Sequence, residues 1–198
     1  MFGYMKWICC LCIQLSVVSA SLSQNVDINL LQQVNPTHPT SAVWRGFTAS
    51  AYPVDILIDG GLAFAAYKKD KHFNSILKSA TGPFVAFVLA EGLKYSINRQ
   101  RPYTAYPLLV HPYQTDEQGL SFPSGHTTFA FNSAALLSMT YKKWYVVIPA
   151  YLWAAGVGYS RLYLGEHYPS DVLAGAAMGI GSAYLGRWLN RRLFHTNK

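Results

Sequence analysis

Charge is what this sequence has least of. Only 13% of its 198 residues are Asp, Glu, Lys or Arg, against roughly a quarter in soluble globular chains. Half the residues are apolar, and the mean hydropathy is +0.13. That balance leans towards a membrane protein without settling it. Thiols are almost as scarce. The three cysteines, Cys9, Cys10 and Cys12, all fall in the first few residues, so the body of the chain is left without a disulfide or a thiolate metal site. No stretch alternates apolar and polar residues over a useful length, which argues against strands, and there is no internal repeat. Acidic residues are few as well. The formal net charge is +7, and a basic chain meets nucleic acid, anionic lipid or phosphorylated small molecules. The placement of the charges decides among these.

Residues 1–20 have the pattern of a secretory signal, with Lys6 as a positive start, Trp7 to Val18 as an apolar run and Val18-Ser19-Ala20 as a small-residue cleavage site. The competing expectation is an uncleaved first membrane helix, but the run is shorter than the ~20 residues a span needs. Residues 21–52 are polar and mixed and are expected to form an exported arm, with Trp44, Phe47 and Tyr52 packing on the body or at a membrane interface. From residue 53 to 198 the periodicity predicts five apolar helices, at about 53–67, 75–95, 124–141, 144–162 and 171–189. The fold expected is an all-α bundle. Gly82-Pro83 is expected to start or kink the second helix and Pro149 to kink the fourth. Gly156, Gly158, Gly175, Gly179 and Gly181 offer close helix contacts, as membrane bundles use.

Basic residues segregate if all five segments cross a bilayer. Lys68, Lys69, Lys71, Lys78, Lys142, Lys143, Arg187, Arg191, Arg192 and Lys198 then share one side, as the positive-inside rule requires. Arg191-Arg192 with Lys198 is therefore a topology signal. It lacks the interleaved aromatics of a nucleic-acid surface, and no nucleic-acid partner is expected. Asp55 and Asp59 must face the bundle, because lipid would not tolerate them.

Three short runs lie on the other side. In Tyr159 to Asp171, Ser160-Arg161 is followed by His167 and then Asp171. An Arg fork matches phosphate oxygens, a neutral His can attack phosphorus, and a carboxylate can fix that imidazole. In Lys94 to Pro102, Lys94 precedes the Arg101-Pro102 pair. Pro123-Ser124-Gly125-His126 reads as a turn into a helix. Ser124 stands at the N-cap, Gly125 permits close backbone approach, and His126 sits where it can protonate a group leaving an anion. A helix N-terminus suits that anion.

Together Lys94-x6-Arg101-Pro102, Pro123-Ser124-Gly125-His126 and Ser160-Arg161-x5-His167-x3-Asp171 resemble the three-part signature of the type 2 phosphatidic acid phosphatase (PAP2) superfamily, over roughly Gly82 to Arg187. The run Tyr168 to Gly175 is more similar to its membrane lipid phosphatases than to its soluble acid phosphatases or vanadate haloperoxidases. The resemblance implies hydrolysis of a lipid phosphate monoester or pyrophosphate. Substrates in this branch are phosphatidic acid, phosphatidylglycerophosphate, undecaprenyl pyrophosphate or lipid A.

The implied roles agree with the chemistry. Lys94, Arg101 and Arg161 bind the phosphate oxygens, with Ser124 and the Gly125 N–H adding hydrogen bonds. His167 is the nucleophile and forms a phosphohistidine, Asp171 holds His167, and His126 serves the leaving oxygen. The expected partners are a phosphorylated lipid and the membrane, and no oligomeric state is assigned. An exported start and a compact five-helix plan suit a bacterial inner-membrane protein with its site facing the periplasm. The alternatives are a soluble exported acid phosphatase and a catalytically silent lipid-phosphate binder, for which the His126 and His167 pair would be superfluous. No cofactor is expected. His126, His167 and Asp171 might be read as metal ligands, but three cationic side chains aimed at the same place oppose a divalent ion.

Smaller expectations complete the reading. Glu91 is set to pair with Lys94 one turn on. Glu166 reads as a surface or interface residue. His38, His72 and His195 read as solvated, and the 96–122 loop as either a lid or an ordinary packed loop.

Overall fold

A computed structural model of the chain describes residues 25–114 and 119–193, apart from the side chain of Phe73. The leader expected over residues 1–20, Asp116 and Glu117 of the long loop, and His195 and Lys198 lie outside the described residues. Within them the structure is all helix and loop. A helix over 25–34, α1, is followed by α2 (Ala42–Asp70), α3 (Phe73–Ile97), the short α4 (Pro102–Ala105), α5 (Gly125–Thr140), α6 (Trp144–Tyr163) and α7 (Pro169–Leu193).

Five long helices therefore stand where the periodicity put them, with shifted ends. The first begins at Ala42 rather than near 53 and runs through Pro53, so residues 42–52 of the expected arm belong to it. Packing explains the extension. Trp44 stacks on Tyr159 at 4.4 Å, Phe47 lies against Gly156, and Ser50 accepts a 3.0 Å bond from the Trp153 indole. Those contacts outweigh the hydrogen bond that a proline removes. Neither Gly82-Pro83 nor Pro149 starts or ends a helix. With 20 residues, α6 is about 30 Å long, the thickness of a bilayer core.

The shortest of the five, α5, sits at the centre and packs on α2, α3, α6 and α7. Its buried residues are small or polar: Thr127, Thr128, Ala130, Asn132, Ser133, Ala134 and Ala135. Small residues let helix backbones approach closely, and polar ones must then be paired across the contact. Both occur. A Cβ on Gly175 of α7 would lie 2.8 Å from the Ser124 carbonyl oxygen, and one on Gly186 2.7 Å from the Gly82 backbone. Gly156 and Gly158 are similarly close to their neighbours, whereas Gly181 faces open space, because it sits on the other side of α7 from Gly175 and Gly179. Asn132 Nδ2 donates to the Gly179 carbonyl at 3.1 Å and to Ser182 Oγ at 2.8 Å. Asp55 and Asp59 do face the bundle, where Ser133 Oγ donates to them at 2.5 and 3.3 Å.

The large apolar side chains point outwards instead. Leu57, Phe84, Leu152 and Leu173 are between 65 and 73% exposed. An exterior of that kind, wrapped around a small-residue and polar interior, suits hydrocarbon rather than water. By length and composition alone only Asn74–Ala105, among the described residues, contains a window apolar enough to span a membrane.

One end of the bundle is capped by α1 and the described part of the 98–122 loop. Ile28 and Leu31 of α1 bury against Val110 and Tyr168. Asn35 accepts a bond from the His111 N–H at 2.8 Å and donates to the carbonyls of His111 and Tyr163 at 2.8 and 2.9 Å. The described part of the loop is thus tied down, which favours the packed-loop expectation over a lid. The opposite end carries Lys68, Lys69, Lys71, Lys78, Lys142, Lys143, Arg187, Arg191 and Arg192. His72 is exposed there, and His38 is exposed near α1.

Candidate active site

Helix α3 ends in a left-handed Asn98, whose N–H bonds the Lys94 carbonyl. Lys94 therefore lies in the last turn, and its ammonium donates to Glu91 Oε1 at 3.3 Å, the expected one-turn pair. The chain then turns back, and Pro102 opens α4 immediately after Arg101. Arg101 is buried, and its Nη1 donates to Glu166 Oε2 at 3.1 Å and to the Glu166 carbonyl at 3.2 Å.

Ser124 stands at the N-cap position of α5, as expected, but its side chain does not cap the backbone. Ser124 Oγ accepts from Thr127 Oγ1 at 2.9 Å instead. Its backbone N–H donates to the Asp171 carbonyl at 3.1 Å, which joins the turn to α7. Gly125 lies beside Tyr52 and Lys94, since a Cβ there would be in ordinary contact with Tyr52 Oη at 3.6 Å and Lys94 Nζ at 4.0 Å. His126 follows in the first turn and stacks on Tyr52, with ring centroids 4.5 Å apart.

The third run bends between α6 and α7. Arg161 is in the last turn of α6, where a cation suits the helix dipole. Its Nη1 donates to Thr48 Oγ1 at 3.3 Å. Gly165 then takes a positive φ of 73°, and a Cβ there would press on the His111 carbonyl oxygen at 2.8 Å, so only glycine fits. The N–H groups of Glu166 and His167 both return to the Arg161 carbonyl. Pro169 opens α7, a place where its missing N–H costs nothing. His167 is thus on the loop and Asp171 in the first helical turn, the junction the sequence predicted.

The pair is close but not bonded. His167 Nδ1 lies 3.6 Å from Asp171 Oδ2, longer than a hydrogen bond, and has no other hydrogen-bond partner. Asp171 is occupied elsewhere. Its Oδ2 accepts from Ser121 Oγ and from the Tyr168 N–H at 2.9 Å, and its Oδ1 from Arg99 Nη1 at 2.6 Å. Burial lowers the pKa of the His167 imidazole to about 4. Asp171 opposes that change, while Arg161 and Arg101 reinforce it. The ring is therefore neutral and nucleophilic at ordinary pH. The three runs meet in one place: a Cβ on Gly125 would lie 4.0 Å from Lys94 Nζ, the Ser124 N–H bonds the Asp171 carbonyl, and Arg101 and Arg161 both approach Glu166, next to His167 in the chain.

Glu166 corrects the sequence reading. It is not a surface residue: it is 2% exposed and lies between the two guanidinium groups, with Arg161 Nη2 at 4.0 Å. Two buried cations need a counter-charge, and proximity to His167 in the chain gave no sign of that. Arg99, Asp27, Ser121 and Thr48 were also passed over. Arg99 was visible inside the Lys94–Pro102 run. Asp27 and Thr48 reach the site only through tertiary packing. Among the described residues no group of three or more His, Cys, Asp or Glu side chains is arranged to hold a metal ion.

A family model described as the PAP2 superfamily matches residues 76–194. An undecaprenyl-diphosphatase of Sulfolobus acidocaldarius is 36% identical over 103 residues, covering 51% of this chain and 48% of the relative. The chain thus spans about half the length of that relative. A lipid A 1-phosphatase of Rhizobium johnstonii is 31% identical over 196 residues, covering 88% of this chain and 77% of the relative. In fold, the crystal structure of a transmembrane PAP2-type phosphatidylglycerolphosphate phosphatase from Bacillus subtilis superposes with a TM-score of 0.68 at 23% identity, over the whole of both chains.

Proposed function

The chain belongs to the PAP2 superfamily, in its membrane lipid phosphatase branch, and from that premise we propose that it hydrolyses the terminal phosphate of a membrane lipid through a phosphohistidine, without a metal. The observation that carries the reading is the meeting of His167, buried, neutral and beside Asp171, with Arg101, Arg161 and His126. Lys94, Arg101 and Arg161 hold the non-bridging oxygens and balance the charge that builds in the transition state. Ser124 and the Gly125 N–H add hydrogen bonds to the same group.

His167 turns Nδ1 towards Asp171 and attacks phosphorus with Nε2. A P–N bond forms, the P–O bond to the lipid breaks, and His126 gives its proton to the departing oxygen. The negative charge of the arriving phosphate favours the protonated form of His126. In the second half His126 takes a proton from water. The resulting hydroxide forms a P–O bond as the P–N bond breaks, and phosphate leaves. Asp171 keeps the imidazole in the required tautomer throughout.

The substrate is a lipid phosphate or pyrophosphate. The outward-facing apolar residues support a membrane setting and disfavour the soluble acid phosphatase. Five crossings, with the basic end inside and the site on the exported, periplasmic face, agree with the separation of Lys68, Lys69, Lys78, Lys142, Lys143 and Arg187 from the three motif runs. Residues 1–20 act as the export signal, and the catalytic bundle, expected from residue 53, begins with α2 at Ala42. The test is phosphate release in detergent from undecaprenyl pyrophosphate, phosphatidylglycerophosphate, phosphatidic acid and lipid A, beside a soluble aryl phosphate. Turnover of the soluble ester alone would overturn the lipid reading.

A further inference from the structure

Asp171 is gripped from behind. Arg99 Nη1 donates to its Oδ1 at 2.6 Å, and Arg99 Nη2 donates to Asp27 Oδ2 at 2.8 Å. One guanidinium thus bridges a carboxylate at the candidate catalytic centre and a carboxylate from α1, which lies outside the family-matched segment 76–194. Asp27 is itself 5% exposed and fixed by three contacts. Besides Arg99, it accepts from the Ser170 N–H at 3.0 Å and from Ser170 Oγ at 2.5 Å. Ser170 Oγ also accepts from Arg99 Nη1 at 2.7 Å. The guanidinium lies 3.8 Å over the Tyr168 ring, which fixes its plane. Burial disfavours the charged form of Arg99, but the two carboxylates more than compensate and hold its pKa above the ordinary value.

We propose that Asp27 and Arg99 are positioning residues for the Asp171–His167 pair, so that α1 is a working part of the catalytic unit rather than an appended arm. The inference rests on the phosphohistidine reading above. Its physical basis is that the orientation and charge of Asp171 decide how well it holds His167. Arg99 draws one lone pair of Asp171 away from the imidazole, and Asp27 neutralises Arg99 so that this pull stays moderate. Ile28 and Leu31 anchor the helix that carries Asp27.

A bland role is available to Asp27, since it also satisfies a free N–H in the first turn of α7. Charge separates the two roles. Asparagine caps helices about as well as aspartate, so Asp27→Asn keeps an acceptor for the Ser170 N–H while an amide NH2 replaces the charged acceptor that faces Arg99 and ends the ion pair. The charged and titratable groups around His167 are Asp171 and Arg99 behind it, Arg161 and Glu166 from the end of α6, Arg101 from the segment after α3, and His126 on α5 with Lys94 beyond. Asp27→Asn alters none of these groups itself, only the partner of Arg99. With Asp27→Asn the Arg99 charge bears fully on the pair, and the imidazolium is disfavoured. With Arg99→Gln the Asp171 charge falls on His167 alone, and the imidazolium is favoured.

The experiment is a titration of 13C-histidine-labelled, full-length protein in detergent, with the His167 signal identified by its loss in His167→Gln. The His167 midpoint moves down in Asp27→Asn and up in Arg99→Gln, each by at least about half a pH unit. The double variant, Asp27→Asn with Arg99→Gln, returns it towards wild type. If one single variant fails to fold, the other and the double still decide the sign. A midpoint that stays put, or that moves the same way in both variants, overturns the proposal.

Kinetics run alongside. Asp27→Asn lowers kcat about 10- to 100-fold with KM little changed, and Asp27→Glu restores part of the loss. Unchanged kcat in an active enzyme would also overturn the proposal. A wild type that turns over nothing counts against the proposed function, while the titration still tests the positioning role.

Discussion

Arg101 donates twice from one nitrogen to Glu166, at 3.1 Å to the carboxylate and at 3.2 Å to the carbonyl oxygen. The two bonds fix the guanidinium before any anion arrives. Arg161 stands 4.0 Å from the same carboxylate, so Glu166 balances two buried cations that would otherwise repel each other. On the proposed mechanism, a phosphate entering the site would find its donors already placed.

The first prediction concerns that carboxylate. Glu166→Ala leaves two buried guanidinium groups without their counter-charge, and breaking such a pair costs about 3–5 kcal/mol. Thermal unfolding in detergent should show a markedly lower Tm, and kcat/KM should fall with it. A variant as stable and active as wild type would mean that Glu166 is not needed as a counter-charge for Arg101 and Arg161.

pH supplies the second. The pKa of His167 is lowered to about 4, with burial as the largest cause, and nucleophilic attack needs the neutral ring. The acid limb of kcat/KM should therefore lie near pH 4, well below an ordinary histidine. Stability follows the same sign. Between the unfolded value of about 6.5 and about 4 the unfolded chain binds the proton and the folded chain does not. Stability from this group is complete above that window and declines as pH falls through it. An acid limb near 6.5 would contradict the buried, cation-flanked setting.

Helix contact at the substrate turn gives the third. Gly175→Ala would put a Cβ 2.8 Å from the Ser124 carbonyl oxygen, a rigid backbone atom. Overpacking of this kind costs about 1–3 kcal/mol, and here it pushes on the turn that carries Gly125 and His126. The expected result is a modest fall in Tm and a larger fall in kcat. Gly181→Ala, which faces open space, should change neither.

Metal independence is the fourth. Activity should survive excess chelator, because cationic side chains supply the charge stabilisation. Loss on chelation, restored by added divalent ion, would overturn that part of the mechanism.

What could be read from the sequence, and what could not, divides along a physical line. The convergence of the three runs that hold Lys94, Arg101, Ser124, Gly125, His126, Arg161, His167 and Asp171 was legible because the spacing within each run reflects local geometry, such as a last helical turn, an N-cap or a loop-to-helix junction. The five long helices were legible from apolar periodicity, although α2 began at Ala42 because tertiary contacts at Trp44 and Phe47 outweigh the proline at 53. Glu166 was misread because its burial depends on where Arg101 arrives from another segment. Asp27 was missed for the same reason. Its helix is short, its apolar face is little more than Ile28 and Leu31, and its partners Arg99 and Ser170 are distant in sequence. Gly82 and Gly186 could be named as small residues, but not as each other's contact.

The central claim is that His167 carries the phosphoryl group. Brief reaction of the detergent-purified protein with a 32P-labelled lipid phosphate, followed by alkaline quenching that preserves phosphohistidine, tests it directly. Label should appear on the wild-type chain, be lost on acid treatment, and be absent in His167→Ala together with phosphate release. Label and turnover persisting in His167→Ala would contradict the account.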